Sequence, residues 1–200
     1  VALKFLRELL DERACAYLRH EAQVAAALDH PNIAKIYEVG THEGAPFIAM
    51  QLIEGVTLGA APLDLDRKMD AVRAVAEAVE FAHSRDVIHR DLKPSNVMVD
   101  RRGQVFVMDF GLAKESNLPG LTVTGAIVGT PSYIAPEQAR GKPEKRSDVY
   151  GLGAILFELT TGRPPFVGAS AAQILTDVVL TDPPWPRALN RDLPRDVEAI

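Results

Sequence analysis

His89-Arg90-Asp91-Leu92-Lys93-Pro94-Ser95-Asn96 is the stretch on which the reading of this chain turns. It places a carboxylate, a lysine and an amide within eight residues. Eighteen residues after Asp91 comes Asp109-Phe110-Gly111, directly behind the apolar Val105-Phe106-Val107. An Asp at the end of a strand and followed by Gly is well placed to hold a hard cation through its oxygens. Asn96 supplies a second oxygen ligand, so that Mg²⁺ can bridge a polyphosphate. Asp91, five residues before Asn96, is spaced to face a substrate hydroxyl and accept or orient its proton, with Lys93 to neutralise charge on a phosphoryl group in flight.

Working outward, Lys4 sits in the strand-like Val1-Ala2-Leu3-Lys4-Phe5, and Glu21 follows seventeen residues later in a segment with helical spacing at Ala14, Leu18, Ala22, Ala25 and Leu28. A lysine on a strand needs a partner to stay fixed, and a helical Glu21 can supply it. His30-Pro31-Asn32 stops that helix. Ile33 to Gly40 and Pro46 to Ile53 read as two strands. Asp66 to Arg85 reads as an amphipathic helix with Val72, Val75, Ala76, Val79 and Ala82 on one face. Val87-Ile88, Val97-Met98-Val99 and Val105-Phe106-Val107 suit short strands, and Gly111 to Pro136 a long loop. Asp148 to Thr161 is apolar almost all round and reads as a buried helix. The fold class is α+β, with a strand-rich part over residues 1–54 and a mainly helical part over residues 55–200.

Composition narrows the classes. Two hundred residues, 47 % hydrophobic and 24 % charged, fit an ordinary globular chain and exclude a disordered tract or a disulfide scaffold. The net charge of −5 gives no electrostatic reason for nucleic-acid binding. Cys15 is the single cysteine and favours a reducing compartment. No apolar run approaches the roughly 20 residues of a membrane helix. A soluble, cytoplasmic protein with no membrane contact by this segment is the expectation.

Further downstream lie Gly129-Thr130-Pro131-Ser132-Tyr133-Ile134-Ala135-Pro136-Glu137 and Ser147-Asp148-Val149-Tyr150-Gly151-Leu152-Gly153. Together, in this order, the Val-Ala-Leu-Lys strand, the helical Glu, His-Arg-Asp, Asp-Phe-Gly and Ala-Pro-Glu resemble the eukaryotic-type protein kinase catalytic domain. The wording looks closest to bacterial receptor-like serine/threonine kinases. The resemblance implies a two-lobed fold, Mg-ATP as phosphate donor and protein Ser/Thr hydroxyls as acceptors. It implies that Lys4 holds the α- and β-phosphates and pairs with Glu21, and that Asn96 and Asp109 hold Mg²⁺. Asp91 becomes the base or orienting carboxylate, Lys93 the γ-phosphate contact, and Thr130 with Lys93 a mark of Ser/Thr specificity. Met50 falls at the gatekeeper position before a hinge at Gln51 to Ile53, and Ala2, Met98 and Met108 line the adenine pocket. Thr122 and Thr124 fall where related kinases autophosphorylate, in trans with a second kinase copy. A phosphate there would pair with Arg90.

The sequence also departs from the family pattern. The glycine-rich loop of the family lies ahead of the Val-Ala-Leu-Lys strand, and the arginine that pairs with Glu137 lies beyond Ile200, so both ends read as cut and Glu137 as buried without its partner. The Gly55 to Asp66 linker is short. Plainer expectations stand beside these. His89 packs and orients backbone, Asp148 caps the His89-Arg90 turn, Trp185 anchors a loop, Cys15 is a structural thiol, and His20, His30, His42 and His83 are surface or loop residues. Two other classes compete: a pseudokinase scaffold, which usually lacks one of Lys4, Asp91, Asn96 and Asp109, and a small-molecule phosphotransferase, which generally lacks Asp-Phe-Gly and Ala-Pro-Glu.

Overall fold

The computed structural model describes residues 1–5, 21–42, 45–110 and 131–199. Cys15, His20, Thr122, Thr124 and Thr130 lie outside the described residues.

Strand β1 (Ala2–Phe5) pairs antiparallel with β3 (Ala45–Met50), and β3 with β2 (Ile36–His42). The sheet order β1-β3-β2 puts the two longest strands together, and helix α1, described over residues 21–26, lies against it. Ala22, Ile48 and Met50 are buried together, with Ala2, Ile36 and Val39 packed around them. Alternate residues of a strand share a face, so this small apolar cluster fixes which side of the sheet the helix covers.

The second sheet runs β4 (Gly55–Thr57), β5 (Val97–Asp100) and β6 (Val105–Val107), all antiparallel. A single 3-10 turn, Leu58–Ala60, lies in the short linker before α2 (Leu65–His83), whose N-cap Asp64 accepts from the Arg67 amide. The buried face of α2 is Ala71, Val75, Ala78, Val79, Ala82 and His83, so Val72 and Ala76 fall at its margin. Helix α3 (Pro136–Ala139) is a single turn. The buried face of α2 meets Ile155 and Leu159 of α4 (Lys145–Thr161) in the main core. Helix α4 starts three residues before Asp148, on a reciprocal Glu144/Ser147 cap, and ends at Gly162 with φ 83°. Its Val149 is exposed, so burial is broad without being complete. Helices α5 (Ala171–Leu180), α6 (Pro186–Leu189) and α7 (Arg195–Glu198) complete this part.

Two expected strand assignments change. Val87-Ile88 forms no strand, because Asp86 takes φ 60° and the Val87 amide returns to the Ala82 carbonyl, closing the end of α2. Asp86 also meets Lys145 at 2.8 Å, which holds its carboxyl below the usual range. Residues 32–34 stay out of β2, since they are engaged with β6: the Val107 amide donates to the Asn32 carbonyl and the Ala34 amide to the Val107 carbonyl. The Asn32 amide side chain adds a bond to the Val105 carbonyl. This short bridge ties the segment leading out of α1 to the second sheet. Trp185, expected as a packed anchor, is 76 % exposed. No described helix is long and apolar enough to cross a membrane.

Gly55 is required by contact. A Cβ there would lie 2.0 Å from the Val99 carbonyl oxygen. Gly153, on the exposed side of α4, has open space around it. Gly55→Ala should therefore cost about 1–3 kcal/mol in denaturant unfolding, in the manner of an overpacked core. Gly153→Ala should instead stabilise by about 0.5–1 kcal/mol. Equal effects of the two substitutions would contradict this packing.

Candidate active site

The site grows from a backbone reversal. After α2 ends, the chain crosses the first turn of α4, where Asp148 is buried. Its Oδ2 accepts from the His89 amide at 2.8 Å and its Oδ1 from the Arg90 amide at 2.9 Å, which bears out the capping role expected of Asp148. Between those bonds Arg90 is held at φ 67°, a left-handed conformation that non-glycine residues rarely adopt. Gln138 of α3 donates its amide to the Arg90 carbonyl from the other side.

His89, fully buried, packs and orients backbone as expected. Its Nδ1 accepts from the Asp91 amide at 3.2 Å, which requires the proton on Nε2, and Nε2 donates to the Met108 carbonyl at 2.9 Å. One imidazole thus links the strand end carrying Asp109 to the loop carrying Asp91. The ring also stands edge-on to Phe110, 4.8 Å between centroids. The Met108 amide completes the link by donating to the Asn96 carbonyl at 2.9 Å.

Asp91 is half exposed, and its carboxylate is gripped from one side. Lys93 Nζ lies 3.0 and 2.8 Å from its two oxygens, and Asn96 Nδ2 donates to its Oδ2 at 3.0 Å and to its carbonyl at 2.8 Å. The Pro94–Asn96 3-10 turn sets that spacing, with proline at its first positions. Because Nδ2 is committed to Asp91, the Asn96 amide oxygen is left as an acceptor facing away from it. Asp109, also left-handed at φ 64°, follows Met108 directly. The donor set is all oxygen, one amide and one carboxylate, and no cluster of three or more acidic, His or Cys groups occurs among the described residues. That set fits Mg²⁺, which usually takes one or two protein oxygens and completes its shell with water and phosphate.

The expected Lys4–Glu21 pair is replaced by two others. Lys4 Nζ meets Asp109 Oδ2 at 2.7 Å, while Glu21 Oε2 accepts from Arg90 Nη1 at 3.3 Å. The side chains keep 44 % and 19 % of their exposure in the first pair and 27 % and 20 % in the second. Ion pairs this open contribute about 0–1 kcal/mol, so neither is a strong lock. Of the pocket residues, Met50 and Ile53 are buried, Ala2, Met98 and Met108 are half-buried, and Ala2 stands opposite Met50 in register. Gln51 is braced by Lys35, whose carbonyl accepts the Gln51 amide at 2.8 Å.

Two further expectations are corrected. Glu137 is half-buried with a partner, accepting from the Ser147 hydroxyl at 2.8 Å. Its charge, after burial, pushes the Tyr150 phenol up to about 12. His83 is no surface residue: it is buried and its Nε2 lies 2.7 Å from Asp148 Oδ2. His30 and His42 do lie at half-buried and exposed loop or strand positions. The missed signal for His83 was its place four residues after Val79, on the apolar face of α2. Tyr133, donating to Glu158 at 2.6 Å, also escaped notice, and burial followed by that carboxylate raises its phenol well above the usual range.

Comparison with known proteins gives this geometry a family. The protein kinase domain matches residues 1–191. The serine/threonine-protein kinase PknB of Mycobacterium tuberculosis is 40 % identical over 214 residues, covering 100 % of this chain and 34 % of that protein. PrkC of Bacillus subtilis is 38 % identical over 208 residues, again covering 100 % of this chain and 32 % of the relative. The chain therefore spans about a third of the length of these curated relatives. Among solved structures, the kinase domain of Mycobacterium tuberculosis PknI, crystallised as a point mutant, superposes with a TM-score of 0.72 at 29 % identity, over 96 % of this chain and 71 % of that one. An aspartate gripped by lysine and asparagine, Asp109 just beyond a buried strand, and a match along nearly the whole length lead to one conclusion: the chain belongs to the protein kinase domain family.

Proposed function

We propose that this chain is the catalytic part of a serine/threonine protein kinase that transfers the γ-phosphate of Mg-ATP to Ser or Thr hydroxyls of proteins. The observation that carries this is the Asp91 carboxylate, half exposed and oriented by both Lys93 and Asn96, with the Asn96 carbonyl bonded to the amide of Met108, the residue before Asp109. In the reaction the acceptor oxygen bonds to the γ-phosphorus, the bond from that phosphorus to the β–γ bridging oxygen breaks, and ADP leaves with the electron pair. Asp91 takes the hydroxyl proton. Lys93, already within reach of Asp91, balances charge on the moving phosphoryl group. Asn96 and Asp109 are the residues that would hold Mg²⁺, which supplies charge neutralisation on the phosphates. Adenine would lie between Ala2 above and Met98 and Met108 below, against the Gln51 to Ile53 backbone. We place the lobe boundary at Glu54-Gly55. The natural setting is cytoplasmic, with protein substrates and a second kinase copy as partners.

One observation favours a second reading. With Lys4 on Asp109 and Glu21 on Arg90, the lysine meant for phosphate is occupied. A chain fixed in that arrangement would serve as a nucleotide-binding scaffold without transfer. Radiolabelled phosphate transfer from Mg-ATP to a generic protein acceptor separates the two. The kinase reading expects transfer by the full-length protein and a fall of about 10²–10⁴-fold in Asp91→Ala, the usual range for losing a general base. Nucleotide binding without transfer in the wild-type protein would favour the scaffold.

The regulatory part of the proposal concerns Thr122 and Thr124. A phosphate there adds a charge of about −1.5 to −2 and competes with Glu21 for Arg90. The double variant Thr122→Ala, Thr124→Ala should show lower turnover than wild type. Equal turnover would remove these residues from the account.

A further inference from the structure

We propose that Gln138 is a positioning residue for phosphoryl transfer, holding the peptide unit between Arg90 and Asp91 from helix α3. The inference rests on the kinase reading for its catalytic consequence and on geometry for the rest. Gln138 is the first residue after Ala135-Pro136-Glu137, outside the motifs from which the site was read.

A peptide unit is planar, so its carbonyl and its N–H turn together. The N–H of this one, the Asp91 amide, donates to His89 Nδ1 at 3.2 Å. Its carbonyl, that of Arg90, accepts from Gln138 Nε2. A carbonyl oxygen can only accept, so the Gln138 side chain presents its amide nitrogen here and not its oxygen. The His89 bond lies within the loop and moves with it, whereas Gln138 holds the unit from another element. Rotation of the plane would be taken up by the torsions beside it, ψ of Arg90 and φ of Asp91. Arg90 is already held left-handed at φ 67°, a small allowed region. The φ of Asp91 sets where its carboxylate stands relative to Lys93 and Asn96, which reach it at 3.0 Å.

Gln138 can serve as an anchor because its own position is fixed. The residue is 7 % exposed. Its carbonyl accepts from the Gly141 amide at 2.9 Å, and the neighbouring Ala139 amide returns to the Ala135 carbonyl at 2.8 Å. Glu137, just before it, accepts from the Ser147 hydroxyl at 2.8 Å and so fastens α3 to α4. Two successive side chains of one short helix thus reach in different directions, Glu137 to α4 and Gln138 to the loop. Burying an amide side chain costs free energy unless it is hydrogen-bonded, and the bond made here goes to the peptide that leads into Asp91.

The test uses the full-length protein with three substitutions. Gln138→Met keeps the length of the side chain without a donor, Gln138→Glu keeps its shape but offers only acceptors, and Gln138→His restores a donor through Nε2. Two readouts are taken: hydrogen exchange of the Asp91 amide, and kcat with KM for ATP in transfer to a protein acceptor. For Gln138→Met and Gln138→Glu the expected result is about tenfold or more faster exchange and about tenfold or more lower kcat, with KM for ATP within about twofold of wild type, as misplacement of a reacting group requires. Gln138→His should restore exchange and kcat most of the way. Wild-type exchange and kcat in Gln138→Met would overturn the proposal, and so would equal losses in all three variants, since space and not the donor would then matter. Faster exchange in Gln138→Met beside a wild-type protein that transfers nothing would support the hold on the peptide and overturn the kinase reading instead.

Discussion

Two backbone amides, those of His89 and Arg90, point inward where the chain crosses α4, and a single buried carboxylate, Asp148, receives both. Leaving a buried amide without an acceptor costs about 1–3 kcal/mol, and a left-handed non-glycine residue adds a cost of the same order. Neither would persist without Asp148, and much of the site depends on this one contact. The turn sets Asp91, and Asp91 is then close enough for Lys93 and Asn96 to grip its carboxylate. His89, standing in the same turn, carries the placement on to Met108 and hence to Asp109. A carboxylate on one helix thus orders two loops that are far apart in sequence.

Against that rigid centre the contacts to the first sheet are soft. The bridge between residues 32–34 and β6 is made of backbone bonds and is well defined. The ion pairs Lys4–Asp109 and Glu21–Arg90 are partly open to water and weak. Forming the Lys4–Glu21 pairing would break both of these pairs and release Asp109 and Arg90 from them. The proposed phosphoryl transfer would ask for this division: fixed carboxylates where charge develops, and exchangeable ones where nucleotide would arrive.

How far the sequence could be read follows from the range of each interaction. β5 and β6 were legible because short apolar runs bounded by Asp, Arg and Gly leave little choice, and α2 because its apolar stripe repeats along the helix. That Asp91, Lys93 and Asn96 stand together was legible because they lie within six residues of one another, where spacing reflects local backbone geometry. Asp148 on the His89-Arg90 turn was anticipated as well. The ion-pair partners were not legible, since Lys4 can reach either Glu21 or Asp109 and exposed charges choose by fractions of a kcal/mol. His83 was misread because a histidine looks polar in isolation, although it continues the apolar face of α2 from Val79. Trp185 was misread the other way, a large aromatic left at the surface. Val87-Ile88 failed as a strand because a left-handed Asp86, invisible to hydrophobic pattern, turns the chain back onto α2.

The account stands or falls on the Asp148 carboxylate, and the structure of an Asp148→Asn variant tests it most directly. The amide keeps the size of the side chain but offers one acceptor oxygen where two backbone amides and an imidazole compete. The account predicts that Arg90 leaves the left-handed region and that the Asn96–Asp91 and Lys93–Asp91 bonds are lost. An unchanged turn, with Asp91 still held by Lys93 and Asn96, would contradict it.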